Sequence, residues 1–236
     1  MKKIRSHIVL QWKLDIRNKN VFLPFYIIPF VFFIVMGFVF TSIIPGIEET
    51  LISAMIVFAV VMGTSLGQTT PISEIYGSDI IKAYKLGNIP ISIPLIVSVI
   101  SSAIHITIIS LVIFFVCPLL FGSPFPSNLL VFFLAYLFFL LASLGIGSFI
   151  GTHFKSTSGL VMAGQIVFIP SIMLSGIMFS IDLLPTFLKN FAYIFPATLG
   201  NIIMTSSNIN WLFMLVLFLV FISTFTVSLI KIRKMD

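Results

Sequence analysis

Charged residues are scarce in this chain of 236 residues. They make up 8% of it, and hydrophobic residues make up 59%, whereas soluble domains carry about 25% charged residues. So few charges cannot cover a surface in contact with water, which excludes a soluble globular protein and indicates an integral membrane protein. Cysteine is scarce as well: Cys117 stands alone, which excludes an intrachain disulfide, and we expect a buried free thiol.

Motifs that bind nucleotides or metals are absent. The chain has no Gly-x-x-x-x-Gly-Lys-Ser/Thr loop, no His-Glu-x-x-His pair and no cluster of carboxylates or cysteines. Gly145, Gly147 and Gly151 superficially resemble a dinucleotide fingerprint, but they lie at the end of an apolar helix without a preceding strand. We therefore expect no catalytic residue, no metal and no cofactor bound by this chain.

Long apolar runs are abundant instead. Six of them are long enough to cross a bilayer core, which needs about 20 helical residues. They cover residues 22–44, 50–66, 92–120, 129–150, 159–179 and 211–230. The sequence therefore predicts an all-α integral membrane protein with six transmembrane helices. We divide it into an N-terminal segment, residues 1–20, and a six-helix membrane domain, residues 21–236.

The cations predict the orientation of these helices. An even number of spans puts both termini on one side, and twelve of the 13 lysines and arginines fall there: Lys2, Lys3, Arg5, Lys13, Arg17, Lys19, Lys82, Lys85, Lys155, Lys231, Arg233 and Lys234. Lys189 is left on the other side. The positive-inside rule then predicts that both termini are cytoplasmic. The net charge of +6 is an orientation signal, so we expect no nucleic-acid partner.

The segment before the first span has an amphipathic pattern. Apolar residues recur at helical spacing while cations occupy other faces; the apolar ones are Ile4, Ile8, Trp12 and Ile16, and the cations Arg5, Lys13 and Arg17. Such a pattern predicts a helix in the headgroup plane that contacts anionic lipids. A solvated tail that happens to be amphipathic is the alternative.

A second ordered segment, residues 71–90, joins the second span to the third. Its charged residues are Glu74, Asp79, Lys82 and Lys85, and they alternate with apolar residues such as Ile75, Ile80 and Tyr84. Residues 78–86 predict a short helix with an acidic first turn and a basic last turn, with Ser78 as N-cap and Gly87 as C-terminal stop. This favours a docking element, and a merely solvated turn is the alternative.

Polar and small residues inside the spans suggest packing or transport roles. Gly147 and Gly151 form a GxxxG pair that lets another helix approach closely. Pro170 interrupts the hydrogen bonding of the fifth span, with Ser171 among the groups that compensate. Gln165 is costly against lipid, so it points either to a partner helix or into a translocation path.

His105 is the one ionisable group that we expect deep in the bilayer, apart from the thiol of Cys117. None of the six predicted spans contains Asp, Glu, Lys or Arg. Ion-coupled transporters normally keep such groups in the membrane, so we expect the energy for transport to come from outside the chain. His105 either lines a path or, as we favour, forms hydrogen bonds to Ser101 and Ser102.

The segment before the last span, residues 180–198, is polar yet keeps an apolar helical face. That face consists of Leu184, Phe187, Leu188, Phe191 and Phe195. Asp182 is placed to cap the helix, Pro185 fits its first turn and Pro196 ends it. About a dozen residues cannot cross a membrane, so the pattern predicts a re-entrant or interfacial helix on the outer side, buried in the assembly near a pathway.

These features together resemble the type-2 ABC transporter permeases, a six-span export class that pairs with a separate ATP-binding cassette subunit. The resemblance covers nearly the whole chain and rests on the basic N-terminal helix, on Glu74 and Gly77 followed by the Pro-Ile-Ser of 90–92, and on the glycine-rich end of the fourth span. Its most specific part is the segment with Gly176, Pro185 and Pro196. The arginine that often follows the glutamate is Ile75 here.

The resemblance implies partners and roles. A second permease, in a homodimer, which we favour, or in a heterodimer, and two ATPase subunits that bind ATP and Mg²⁺ would complete the transporter. The segment from Glu74 to Leu86, which includes Gly77, would be the coupling helix, with polar contacts from Glu74, Asp79, Lys82 and Lys85. Its apolar residues, Ile75, Ile80 and Tyr84, would fill the cleft of the ATPase. Path or outer-gate residues would be His105, Gln165, Ser171, Phe187, Phe191 and Phe195.

The predicted function is the membrane subunit of an ATP-driven exporter in a bacterial plasma membrane. Its substrate would be hydrophobic or amphipathic: a drug, an antimicrobial or toxin peptide, or a lipid-linked compound. The alternatives are a secondary carrier or channel, a membrane-embedded enzyme, and a non-transporting immunity or scaffold protein.

Overall fold

The computed structural model describes residues 2–178 and 180–234, with side chains from residue 7 onward. Within those ranges every regular element is helical and no strand occurs. Six helical segments are long and apolar enough to cross a membrane: Lys19–Ile43, Glu48–Gly77, Ser92–Phe121, Leu129–His153, Thr157–Leu174 and Trp211–Arg233, called spans 1 to 6 below. The predicted class, an all-helical multi-pass membrane protein, is confirmed.

The described residues contain twelve α-helices, two π-helical turns inside spans 1 and 2, and one 3₁₀ turn, Ile181–Leu183, outside the spans. The N-terminal helix is α1 (Lys2–Arg17). Span 1 joins α2 (Lys19–Phe22) to α3 (Ile28–Ile43) through a π-helical turn, Leu23–Ile27, and span 2 joins α4 (Glu48–Met62) to α5 (Thr69–Gly77) through a second, Gly63–Gly67. The remaining helices are α6 (Ile80–Leu86), α7 (Ser92–Phe121), α8 (Leu129–His153), α9 (Thr157–Leu174), α10 (Thr186–Ala192), α11 (Pro196–Thr205) and α12 (Trp211–Arg233).

Span 2 is the central helix of the bundle. In the most apolar stretch of span 2, 89% is buried inside the protein. The corresponding share for the other five spans lies between 17% and 50%. Spans 5 and 6 are the most exposed, at 22% and 17%. These two helices therefore leave most of their apolar surface to lipid or to a second protein.

Span 2 also extends beyond its predicted end at residue 66, as far as Gly77. The sequence loses its apolar character after Leu66, but the helix continues because its polar side chains find partners inside the bundle. Gln68 is fully buried, and its Nε2 donates to the carbonyl oxygen of Leu144 and to Ser148 Oγ, both at 3.0 Å. A buried amide that is bonded in this way does not carry the full cost of burial.

The glycine pair of α8 lies against span 2. A Cβ atom added at Gly147 would collide with the carbonyl oxygen of Thr64, and one added at Gly151 would lie 2.8 Å from Ile72 Cβ. Neither position has room for a side chain. The backbone of α8 therefore lies directly against span 2, which is the packing typical of small residues in membrane helices.

The segment before span 6 differs from the prediction. We predicted one helix ended by Pro196, but α10 already ends at Ala192, and Pro196 is the first residue of a second helix, α11. Proline suits a first helical turn because its missing N–H would have no intrahelical partner there. Most of α11 is buried, and it packs against α8 and α4.

Gly176 marks the turn that leads out of span 5. Its φ of +84° belongs to the left-handed region, which a glycine adopts without steric cost. Asn201 of α11 closes this turn by donating its Nδ2 to the carbonyl oxygen of Ser175 at 3.0 Å. The turn is thereby held against the buried helix α11, and Pro185 occupies the N-cap position of α10 beyond it.

The described cations define two ends of the bundle. The end that carries α1, α6, the end of α8 and the end of α12 is called the basic end below, and it is the end that the positive-inside rule predicts to be cytoplasmic. The end that carries α10 and Lys189 is called the opposite end.

Candidate functional site

A cleft of about 780 Å³ opens between spans 1, 2 and 5 near the basic end. Its mouth carries polar side chains, among them Asn20, Glu74 and Lys155, and its inner part is apolar, with Met62 and Leu66 of span 2. This combination of a large apolar surface with a few polar groups is typical of sites that bind small amphipathic molecules.

A second hollow, of about 290 Å³, continues the cleft towards the opposite end. The two share Ile28 of span 1 and Met62 of span 2, and the second is otherwise lined by aromatic and aliphatic residues: Phe32, Phe58, Phe168, Ile169, Ile172 and Met173. Together they form one track along the face where spans 1 and 5 flank span 2.

Gln165 lies in the cleft. Its side chain, on α9, is exposed and is one of the residues that line the cleft. It therefore faces the cavity and not the interior of the helix bundle. Of the predicted path residues, Gln165 is the one that the cleft contains. The choice between a partner helix and a path is still open, because a second chain could cover the same surface.

Ser171 and the three predicted phenylalanines lie elsewhere. Ser171 is one of the buried residues of α9, a helix that continues past Pro170 to Leu174. Phe187 and Phe191 are exposed on α10, at 71% and 47%, and Phe195 is half-buried after it. None of the three lines the cleft or its continuation. Their assignment as an outer gate stays a prediction.

Two π-helical turns face each other beside the cleft. Phe25, in the turn of span 1, packs over Gly63 and Gly67, so a Cβ atom at either glycine would lie 3.1–3.2 Å from its ring. Pro29 has no N–H to bond to the carbonyl oxygen of Phe25, which favours the wider turn before it. π-helical turns occur often at functional sites, because they interrupt the regular ladder where a helix must present particular groups.

The predicted docking helix is present and exposed. We predicted residues 78–86; α6 covers Ile80–Leu86 and has no buried residue, and Gly87 follows it as the C-cap. Ser78 Oγ accepts from the backbone N–H of Ile80 at 3.4 Å, so this side chain does act at the helix start, one residue before the N-cap position, which Asp79 occupies. Asp79 also pairs with Lys82 at 2.8 Å, and Lys85 is exposed in the last turn.

Three residues that we assigned to the docking helix lie instead on α5, the end of span 2. Ile75 is buried in a cluster with Tyr76 and Leu95, so its side chain packs the bundle and is not presented to a partner. The assignment of Ile75 to a partner's cleft is therefore wrong. Glu74 is exposed at the mouth of the cleft, and Gly77 is exposed after it, where α5 ends.

His105 does not line the cleft. It is fully buried on the far side of span 1, and its partners are not the serines that we favoured. Its Nδ1 lies 2.7 Å from the hydroxyl of Tyr26, and its Nε2 lies 3.6 Å from Oδ2 of Asp15. Ser101 donates to Asp15 instead, at 2.6 Å.

Asp15 is the functional candidate that sequence reasoning missed. It is 2% exposed, on the face of α1 that packs against α7. The predicted apolar stripe ran through Ile16, which is exposed. The signal was present in the spacing: Asp15 follows Trp12 by three residues and Ile8 by seven, which puts its carboxylate on the packing face.

The fold is that of a multi-pass helical membrane protein with a cleft among its spans. A family model described as "ABC-2 type transporter" matches residues 3–207, from α1 to the end of the segment before span 6. The chain therefore belongs to the ABC-2 type transporter family, and the predicted resemblance is confirmed.

The curated relatives match a smaller part of the chain. Two proteins from two strains of Escherichia coli, both described as "Probable multidrug ABC transporter permease YbhS", are 39% identical to it over 77 residues. That stretch is 32% of this chain and 20% of each relative. The match thus spans one fifth of the length of these relatives. No solved structure matches the chain significantly.

Proposed function

We propose that this chain is the membrane subunit of an ATP-driven exporter of hydrophobic or amphipathic compounds. The observation that carries the proposal is the track between spans 1, 2 and 5, which is polar at the basic end and aromatic further along. Family membership supports a transporter, and the description of its relatives as multidrug permeases favours drug-like substrates.

The composition of the track favours an amphipathic substrate. Its apolar part would hold a hydrophobic body, while Glu74, Lys155 and Gln165 would orient a polar group near the mouth. Opposite charges at the mouth fit zwitterionic compounds as well as cations. Drugs, antimicrobial or toxin peptides and lipid-linked compounds all meet this description.

A second copy of the chain would complete the path. The track is open on the side away from span 2, where the exposed faces of spans 1 and 5 flank it. In a homodimer two such tracks would face each other, and the substrate would be enclosed between protein surfaces instead of lipid. Gln165 would then contact either the substrate or the second copy.

ATP would be hydrolysed by a separate cassette subunit, two copies per transporter, with Mg²⁺ bound there. The exposed helix α6 is the surface that we assign to this partner: Asp79, Lys82 and Lys85 offer polar contacts, and Ile80 and Tyr84 offer apolar ones. Closure of the ATPases would move α6, and α5 would transmit the movement to span 2 and the cleft. In this arrangement the basic end would lie in the cytoplasm of a bacterium.

Purification in mild detergent tests the proposal. We expect an ABC ATPase to accompany the chain in stoichiometric amount, and its turnover to change when amphipathic drugs or peptides are added in proteoliposomes. Tyr84→Ala and Lys82→Glu on α6 should weaken this association without affecting membrane insertion. Lys189→Glu, at the opposite end, is the matched control and should leave it unchanged.

Two outcomes would contradict the proposal. A chain that purifies alone and catalyses uptake driven by an ion gradient would be a secondary carrier. Equal association and turnover in the α6 variants and in Lys189→Glu would remove the assignment of α6 as the docking surface.

A further inference from the structure

Helix α1 is attached to the rest of the protein at three places along its length. Near its start, the ring of His7 lies 6.3 Å from the ring of Tyr84 on α6. Beyond its end, Asn18 Nδ2 approaches the carboxylate of Glu74 on α5, at 3.4 Å. Between the two, Asp15 contacts α7. The helix therefore connects the docking segment with span 3.

The middle attachment is a closed cluster of polar groups. Asp15 accepts two hydrogen bonds, one from Gln11 Nε2 to its Oδ1 at 2.7 Å and one from Ser101 Oγ to its Oδ2 at 2.6 Å. Aromatic rings seal the cluster: Trp12 stacks on one side of His105, with ring centroids 6.0 Å apart and planes 13° apart, and Phe25 stacks on another. A carboxylate in such a place is stable only if its partners satisfy it.

The two ring nitrogens of His105 have different surroundings. Nδ1 lies at hydrogen-bond distance from the hydroxyl of Tyr26, whereas Nε2 has no hydrogen-bond partner and faces Asp15. When Tyr26 donates its O–H to Nδ1, the proton of the neutral imidazole must sit on Nε2, towards the carboxylate. The ring can then take up one further proton, at Nδ1, provided that the hydroxyl of Tyr26 turns to accept.

Protonation would strengthen this attachment. The imidazolium and the Asp15 carboxylate would form an ion pair with little water around it, where opposite charges attract strongly. The titratable groups that the structure places against His105 are Asp15, from α1, and Tyr26, from span 1. Its neighbours on α7 are the hydroxyls of Ser101 and Ser102, which do not titrate in this range.

We propose that Asp15 and His105 form a proton-binding site that fastens α1 to span 3, and that through α1 they act as positioning residues for α6. Proton uptake tightens the attachment, and proton loss from the imidazole loosens it. The first half of this proposal concerns the chain alone. The second half rests on the proposed function, because it requires α6 to contact an ATPase.

Trp12 provides a direct test of proton binding. The chain has two tryptophans, Trp12 and Trp211, so a Trp211→Phe variant reports from Trp12 alone. A protonated imidazole in contact with an indole ring quenches its fluorescence. We expect the emission of purified protein in lipid nanodiscs to fall as the pH is lowered from about 8 to about 5, the range in which histidine changes charge.

Variants in the Trp211→Phe background identify the group that titrates. His105→Gln should abolish the fluorescence transition, and Asp15→Asn should alter it, because the imidazolium then no longer faces a carboxylate. His153→Gln, at the end of α8, is the matched control and should leave it unchanged. A flat profile for the Trp211→Phe parent, or an unaltered transition in His105→Gln, would overturn the proton-binding site.

A pair of serine variants tests the positioning role. Ser101→Ala removes a bond to Asp15, whereas Ser102→Ala removes a buried hydroxyl that has no hydrogen-bond partner. In the complete transporter, reconstituted with its ATPase, we expect Ser101→Ala and Asp15→Asn to lower the amount of substrate moved per ATP several-fold and to change its pH profile. Ser102→Ala should do neither.

The outcomes separate this inference from the proposed function. If Ser101→Ala and Ser102→Ala transport equally well at every pH, the positioning role is wrong, and the proton-binding site is judged by fluorescence alone. If the parent protein shows no ATP-driven transport, the proposed function and the positioning role that rests on it both fail, while the Trp12 titration still decides whether the site binds a proton.

Discussion

Span 1 separates two polar regions: one lines an open cleft, and the other is a closely packed cluster. On one side, Pro24 contributes to a cleft of about 780 Å³ that contains Glu74 and Gln165. On the other side, Tyr26 closes a cluster in which Asp15 and His105 are each at most 2% exposed. Residues of a single π-helical turn thus serve both regions.

The difference teaches where a ligand can act. In the cleft, polar side chains have empty volume in front of them, so a substrate or a second chain can satisfy them. In the cluster, the carboxylate of Asp15 is already bonded to other side chains of this chain and is 2% exposed, so it is closed to a substrate. Substitutions in the cluster should therefore change stability, and any effect they have on transport should act through the position of α1, whereas substitutions in the cleft should change transport and leave stability nearly unaltered.

The largest effect is expected for Asp15→Ala. The substitution leaves one buried donor, on Ser101, and one half-buried donor, on Gln11, without their acceptor, and an unsatisfied buried group costs about 1–3 kcal/mol. We expect the free energy of unfolding to fall by about 3 kcal/mol, measured by denaturant or thermal unfolding in detergent.

Asp79→Ala is the matched control for this substitution. The carboxylate of Asp79 is exposed and pairs with Lys82 on the surface of α6, so its removal should change stability by less than about 0.5 kcal/mol. Equal stability of the two variants would mean that the Asp15 cluster is not closed, and the comparison between the two regions would fail.

A smaller effect, on transport alone, is expected for Gln165→Leu. The side chain is exposed in the cleft, so the fold should tolerate the change. We expect the substrate concentration that gives half-maximal stimulation of the ATPase to change several-fold, since one polar contact with the substrate is lost.

Met162→Leu serves as the control for Gln165→Leu, because Met162 is 61% exposed on the same helix and does not line the cleft. It should leave the stimulation unchanged. If Gln165→Leu instead separates the two copies of the chain in detergent while Met162→Leu does not, Gln165 belongs to the interface between them and not to the path.

The sequence predicted the cleft only in part and the cluster hardly at all. Apolar runs located all six spans, because the bilayer demands an unbroken apolar surface of fixed length. The end of span 2 was misplaced, because Gln68 is polar and yet its Nε2 is bonded to Leu144 and Ser148, residues 76 and 80 positions away. Local patterns do not contain such partners.

The same reason explains the missed residues. Asp15 meets Ser101, which lies 86 positions further along the chain, so its burial is a property of tertiary packing. Helix α11 was missed because Pro196 is compatible with the end of one helix and with the start of the next. Conversely, α6 was predicted within two residues of its start, since its caps and charges are local.

The smallest effect is expected at the opposite end, for Asp182→Asn. Lys189 Nζ donates to Asp182 Oδ1 at 2.6 Å, and this bond, together with the negative charge, raises the pKa of Lys189 above its usual value. A raised pKa in the folded state adds stability at a pH below the pKa of an unfolded lysine, and the contribution disappears as the pH rises through the pKa of the folded state. Because the side chain of Asp182 is 82% exposed, solvent screens the pair, and such pairs often contribute nothing measurable. We therefore expect the Tm of Asp182→Asn to equal that of the parent at neutral pH. A clear loss of Tm there, which vanishes in strongly alkaline solution, would show that this end of the bundle is closed in the way that the Asp15 cluster is.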